Sequence, residues 1–161
     1  MIEKHVFNER LKRLEPIDKK CYYCAEQDCE SMNDCYFVPL FKEQDRTNIV
    51  VYRSVKFKKI MVGIPRCKTC LGIHQSLGNK AKLYSLGIAV GIFGSAYCIF
   101  DLFGTIMGAV VGMIAGSICW LPIKNRLIDK AGILNLEEGA QTNDTVQSFV
   151  IAGWSFSQPA A

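Results

Sequence analysis

The stretch Leu83–Ile123, LYSLGIAVGIFGSAYCIFDLFGTIMGAVVGMIAGSICWLPI, sets the frame for the rest of the chain. It carries one charge, Asp101, which separates two uncharged runs, 83–100 and 102–123. At about 1.5 Å of rise per helical residue these runs reach roughly 27 and 33 Å, close to the ~30 Å of hydrocarbon that a transmembrane helix crosses. The expected structure is a transmembrane helical hairpin with its tip at Asp101. The alternative is a pair of buried helices in a water-soluble protein. A soluble helix of this length normally keeps a polar face, and neither run has one.

The second run holds Gly104, Gly108, Gly112 and Gly116 at a strict spacing of four. That row lies along one helix face and lets another backbone come close. In a water-exposed helix each glycine costs about 1 kcal/mol, so the pattern asks for a packing reason. Gly87, Gly91 and Ser95 form a weaker counterpart in the first run. The row resembles that of glycine-zipper membrane proteins, a broad class without a single function. It either seats the two helices of one chain against each other or drives self-association.

The flanks give an orientation. Lys80 and Lys82 precede the first run, and Lys124, Arg126 and Lys130 follow the second. By the positive-inside rule the expected protein is integral, with two spans and both termini cytoplasmic. Residues 1–20 are densely charged and contain no apolar signal-peptide core, so the hairpin itself is expected to direct insertion.

That placement governs the eight cysteines. Cys98 and Cys119 fall inside the spans, where a thiol behaves as a small apolar group. The other six, Cys21, Cys24, Cys29, Cys35, Cys67 and Cys70, fall in a segment expected to be reducing, which favours metal ligation over disulfides. Cys21-x2-Cys24 and Cys67-x2-Cys70 are the sharpest motifs outside the spans. A two-residue gap lets both thiolates of a pair turn toward one ion, and two pairs supply the four ligands of a tetrahedral structural Zn²⁺. The gap between the pairs, 25–66, is longer than a compact ribbon uses. An insertion holding the acidic patch (Glu26, Asp28, Glu30, Asp34) would account for it. Alternative assignments let Cys29, Cys35 or His74 replace one of the four, or let Cys29 and Cys35 bind a second ion. Reduced structural thiols, or disulfides without metal, are a further alternative. A thioredoxin-like role would need a βαβ pattern around a pair, and none is visible.

Residues 1–20 mix six basic with four acidic side chains. The spacing of Leu11, Leu14 and Ile17 predicts a short amphipathic helix stopped near Pro16, and His5 reads as a surface histidine. Residues 48–64 are rich in Val, Ile, Tyr and Phe and predict one or two paired strands with a break near Lys58 and Lys59. A helix is expected over 71–82, running on into the first span. Asn143 or Asp144 is expected to cap a short helix through Ala152, stopped by Gly153. Trp154 and Phe156 are expected to dock on the cytosolic domain or at the membrane interface.

With the first pair in a turn and the second at a helix start, residues 21 to about 75 resemble zinc-ribbon and treble-clef modules. The resemblance implies a small metal-stabilised fold that presents a surface to protein or nucleic acid and seldom catalyses. The expected organisation is a charged N-terminal arm (1–20), a zinc-ribbon-like α+β cytosolic domain (21–80), the transmembrane hairpin (81–126) and a cytosolic tail with a short helix (127–161).

From Arg46 to Phe100 there are nine basic residues and no acidic one. Beside a membrane span, such charges attract anionic lipid headgroups by about 1 kcal/mol each. Nucleic acid is the rival partner and the less favoured one, because a basic face beside a span already has a partner. Lys80 and Lys82 are equally well explained as topology charges. Catalytic signatures are lacking: there are two histidines, no Gly-x-Ser-x-Gly, no phosphate-binding glycine loop and no His-Glu-x-x-His. Too few ligands are present for a cross-braced ubiquitin-ligase module. The expected function is that of a non-enzymatic, membrane-anchored zinc module serving an unidentified protein partner as adaptor or scaffold. The alternative is an oligomeric pore assembled through the glycine row.

Overall fold

The computed structural model describes residues 4–49, 52–99 and 102–160. Four strands, β1 (His5–Asn8), β2 (Arg13–Pro16), β3 (Tyr36–Ile49) and β4 (Tyr52–Ile64), precede four helices, α1 (Lys68–Ile99), α2 (Leu102–Lys130), α3 (Leu136–Thr142) and α4 (Asp144–Ile151). The chain divides into two compact units, one made of Met1–Cys70 with Leu136–Ala161 and the other of Leu71–Asn135.

The first unit is built on a mixed sheet in the order β1-β2-β4-β3. Its centre is the β3–β4 hairpin, in which Val38 pairs with Val62, Tyr36 with Ile64 and Leu40 with Ile60. Paired residues share a face, so the alternation places Val38, Leu40, Val62 and Ile64 together in the core. The ladder continues through Phe41–Lys59 and Lys42–Lys58 to a bulge between Glu43 and Asp45. β4 therefore runs unbroken through Lys58 and Lys59, where the sequence predicts a break: the ladder engages only the backbone, and both lysine side chains are exposed. This hairpin, together with the segment that holds the acidic patch, occupies the long gap between the two cysteine pairs.

Residues 4–16 correct another expectation. In place of an amphipathic helix, β1 and β2 form an antiparallel hairpin, and β2 adds to β4 in parallel through Arg13–Met61 and Leu14–Val62. The three-residue spacing of Leu11, Leu14 and Ile17 misleads because only Leu14 is buried, while Leu11 and Ile17 are exposed. Pairing with β4 overrides a weak local preference. His5 is likewise buried rather than superficial; its Nε2 donates to Gly63 O at 2.9 Å and its Nδ1 lies 3.4 Å from Thr145 Oγ1. Gly63 has no room for a side chain, since a Cβ there would come within 2.9 Å of Leu14 O, Phe37 Cε1 and Pro16 Cδ.

The C-terminal segment closes this unit. Asn143 caps α4, its Oδ1 accepting from the amides of Thr145 and Val146. Gly153, with a positive φ, follows the helix end in the left-handed conformation. Ser155 then pairs with Phe41 on the free edge of β3 through two 2.8 Å backbone hydrogen bonds. Trp154 stacks edge-on against Phe149. Helix α3 rests Gly139 on the Tyr23 ring, where a Cβ would lie 2.5 Å from Cε1.

In the second unit α1 and α2 pack along the glycine row. A Cβ at Gly112 would lie 2.8 Å from Ala89 O, one at Gly116 would lie 3.0 Å from Ser85 O, and one at Gly108 would collide with Ala96. The expected counterpart is different in detail. Gly87 and Gly91 face open space, and α1 meets the row with Ser85, Ala89 and Ala96. The expected tip at Asp101 lies outside the described residues. Both helices are long and apolar enough to cross a membrane, with mean hydropathy 1.4 for Lys68–Ile99 and 2.0 for Gly104–Lys130 over their most apolar windows. Their outward residues, among them Leu83, Val90, Tyr97, Met113 and Ile118, are more than half exposed.

Candidate metal centre

Two turns supply the centre. The first begins at Cys21, whose carbonyl accepts from Ala25 N at 3.0 Å, while its own amide donates to Gln27 O at 2.8 Å. Closing this turn gives Ala25 a positive φ, in the left-handed region. For a residue with a Cβ that conformation costs roughly 1–2 kcal/mol. The second turn leads into α1: Cys67 stands just before the helix, Cys70 lies in its first turn, and Cys70 N donates to Cys67 Sγ at 3.4 Å. Tyr22 N to Pro65 O at 2.9 Å and Thr69 Oγ1 to Gln27 Oε1 at 2.8 Å tie the turns together.

The result is a cluster in which the sulfurs of Cys21, Cys24, Cys67 and Cys70 all lie within 4.8 Å of one another. Across the two pairs, Cys21 Sγ is 3.9 Å from Cys70 Sγ and Cys24 Sγ is 3.8 Å from Cys67 Sγ. A tetrahedron with metal–sulfur bonds of about 2.3 Å has edges of about 3.8 Å, so these two contacts are compatible with ligands around one ion. Cys21, Cys67 and Cys70 are buried and Cys24 is half-buried. Four cysteines thus stand within metal-binding distance, compatible with an ion such as zinc.

The thiols of Cys24, Cys67 and Cys70 are perturbed unequally. Burial raises the Cys24 thiol, but the amides of Glu26 and Gln27 and the neighbouring thiols of Cys21 and Cys70 outweigh it and bring it down to about 7. Burial, then Cys67 and Cys24, push the Cys70 thiol well up, and burial raises that of Cys67. Crowded thiols of this kind give up their protons when a cation takes the charge. No protein-family model, curated protein or solved structure matches this chain. The chemistry therefore rests on the residues themselves.

The other candidate ligands fall elsewhere. His74 is buried with Nε2 3.0 Å from Leu134 O. Cys29 and Cys35 contact each other, at 3.2 Å, and are not members of the four-sulfur group. One supporting residue is missed by sequence reasoning. Arg66, directly before Cys67, is buried, donates from Nε to Asp34 O at 3.0 Å and lies 5.8 Å from the Tyr36 ring centre. Its position between Pro65 and Cys67 is the only signal in the sequence. An open cleft of about 540 Å³ adjoins Cys67, lined by Gln27, Asp28, Glu30, Lys68 and Thr69.

Proposed function

We propose that this chain is a membrane-anchored cytosolic module held together by one structural zinc ion, acting as a non-enzymatic adaptor or assembly scaffold. The closed set of four sulfurs carries the reading. A tetrahedral ion bound by four thiolates has no open position for water or substrate, so it supports a fold rather than a reaction. For a unit this small the gain is large, since structural zinc contributes about 10 kcal/mol or more of apparent folding free energy.

The anchor reading is supported by the apolar outer faces of α1 and α2, where Leu83, Val90, Tyr97, Met113 and Ile118 are each more than half exposed; contiguous exposed apolar surface marks a site that something else covers. Basic residues at both ends of the helix pair favour two spans with both termini cytoplasmic, and the acid-free segment 46–100 favours anionic headgroups over nucleic acid as its electrostatic partner. The cleft beside Cys67, with Asp28 and Glu30 on its wall, is a candidate surface for the protein partner. The engagement of Gly108, Gly112 and Gly116 by α1 of the same chain counts for the anchor and against the glycine row as the contact of a homo-oligomeric pore.

The test uses the full chain purified in mild detergent. Elemental analysis is expected to find one zinc per chain. Chelation is expected to abolish amide-exchange protection in β1–β4 while residues 83–99 and 102–123 stay protected. Absence of metal, or unchanged protection in the strands after its removal, refutes the zinc module. Release from membranes by alkaline carbonate refutes the anchor, and ion conductance in liposomes would favour the pore.

A further inference from the structure

Cys29 and Cys35 are core residues that stand outside the four-sulfur group. Both are buried, at 4% and 5% exposure, and their sulfurs stand 3.2 Å apart. This is shorter than the ~3.8 Å edge that ligands sharing a tetrahedral ion adopt. Among the described residues, no third cysteine, histidine or carboxylate joins them in a group able to hold a metal. Two thiols in contact without a third ligand are the arrangement of a dithiol. The gap to the ~2.05 Å of a disulfide is about 1.2 Å, within reach of side-chain rotation.

We propose that Cys29 and Cys35 form a redox site, separate from the metal centre, that closes to an intramolecular disulfide by exchange with a small-molecule disulfide of the glutathione class. In the reduced state both thiols turn toward Ser31 O, at 3.1 Å from Cys29 Sγ and 3.9 Å from Cys35 Sγ. Burial, then the neighbouring Cys29, push the Cys35 thiol up to about 12, and the second attack is assigned to Cys35. Cys29, as thiolate, attacks one sulfur of oxidised glutathione. That S–S bond breaks, and one glutathione leaves as thiolate and takes up a proton. Cys35 then loses its proton and attacks Cys29 Sγ, forming the protein disulfide and expelling the second glutathione. Two protein thiols are oxidised and one glutathione disulfide is reduced to two thiols.

The site is also linked to the metal ligands. Asp34, next to Cys35, holds the Arg66 guanidinium through its carbonyl, and Arg66 is bonded directly to Cys67.

The experiment takes the full purified chain through oxidised and then excess reduced glutathione, alkylates it under denaturing conditions and maps the peptides by mass spectrometry. Cys29 and Cys35 are expected to lose alkylation together, to appear as one linked peptide and to recover in reduced glutathione. Cys35→Ser is expected to retain glutathione on Cys29 as a mixed disulfide. Full alkylation of both residues after oxidation, a stable glutathione adduct on the wild-type pair, or links from either residue to the metal-centre cysteines overturns the proposal. The wild-type map decides the question even if Cys35→Ser does not fold. Zinc content measured in the same samples reads out the metal centre independently.

Discussion

The backbone amide of Tyr22 donates to the carbonyl of Pro65 at 2.9 Å. It sets the middle of the first Cys-x2-Cys turn against the residue two places before the second, so part of the metal centre's geometry is held by backbone. The backbone contact and the four-sulfur cluster belong to the same folded arrangement, so any ion bound there adds its binding free energy to folding.

Replacing one ligand should therefore cost both the ion and the fold around it. Cys70→Ser removes a buried sulfur from the four, and zinc content is expected to fall from about one per chain to near zero, with the first unit losing cooperative unfolding. Elemental analysis and amide exchange on the same sample check this. Full zinc retention in the variant contradicts the assignment of Cys70.

Gly63 is the tightest point of the sheet. Gly63→Ala drives a methyl group toward Leu14 O, Phe37 and Pro16, each 2.9 Å from the new Cβ. Leu14 O is backbone and the other two atoms belong to rings, so overpacking of about 1–3 kcal/mol is expected. For a domain of this size the melting temperature should drop by about 4–8 °C per kcal/mol. An unchanged melt means the β2–β4 pairing is looser than described.

The helix pair offers a matched comparison. Gly112→Leu pushes a side chain into Ala89 O, whereas Gly91→Leu enters open space. In detergent, the first is expected to lower the temperature at which helical circular dichroism is lost and the second to leave it within error. Equal effects would mean that the glycine row does not seat α1.

Asn143 is buried and its Oδ1 accepts from Thr145 N at 3.1 Å and Val146 N at 3.3 Å. Asn143→Ala should cost about 1 kcal/mol, while Asn143→Asp, which keeps the acceptor, should cost less. Denaturant titration of the full chain, followed by Trp154 fluorescence in a Trp120→Phe background, reports on the region, because Trp154 packs on Phe149 of α4. A cap that contributes nothing leaves all three midpoints equal.

What the sequence by itself determined is what depends on neighbours along the chain. The two long uncharged runs carry a helical length and composition, a two-residue gap turns paired thiols the same way, and Asn143 caps α4 through the amides two and three residues on. Tertiary structure decided what depends on distant partners. Leu14 and Ile17 share a helix-like spacing, yet Val62 buries one and leaves the other in water. His5 looks superficial until Gly63, far along the chain, supplies a buried acceptor. Six similar cysteines became four sulfurs at metal spacing and two in direct contact only when β3 and β4 folded back to bring Cys67 and Cys70 to Cys21 and Cys24. Local propensity is worth a few tenths of a kcal/mol per residue, whereas burying an apolar side chain is worth about 1.5–3 kcal/mol, so where the two disagree the distant partner prevails.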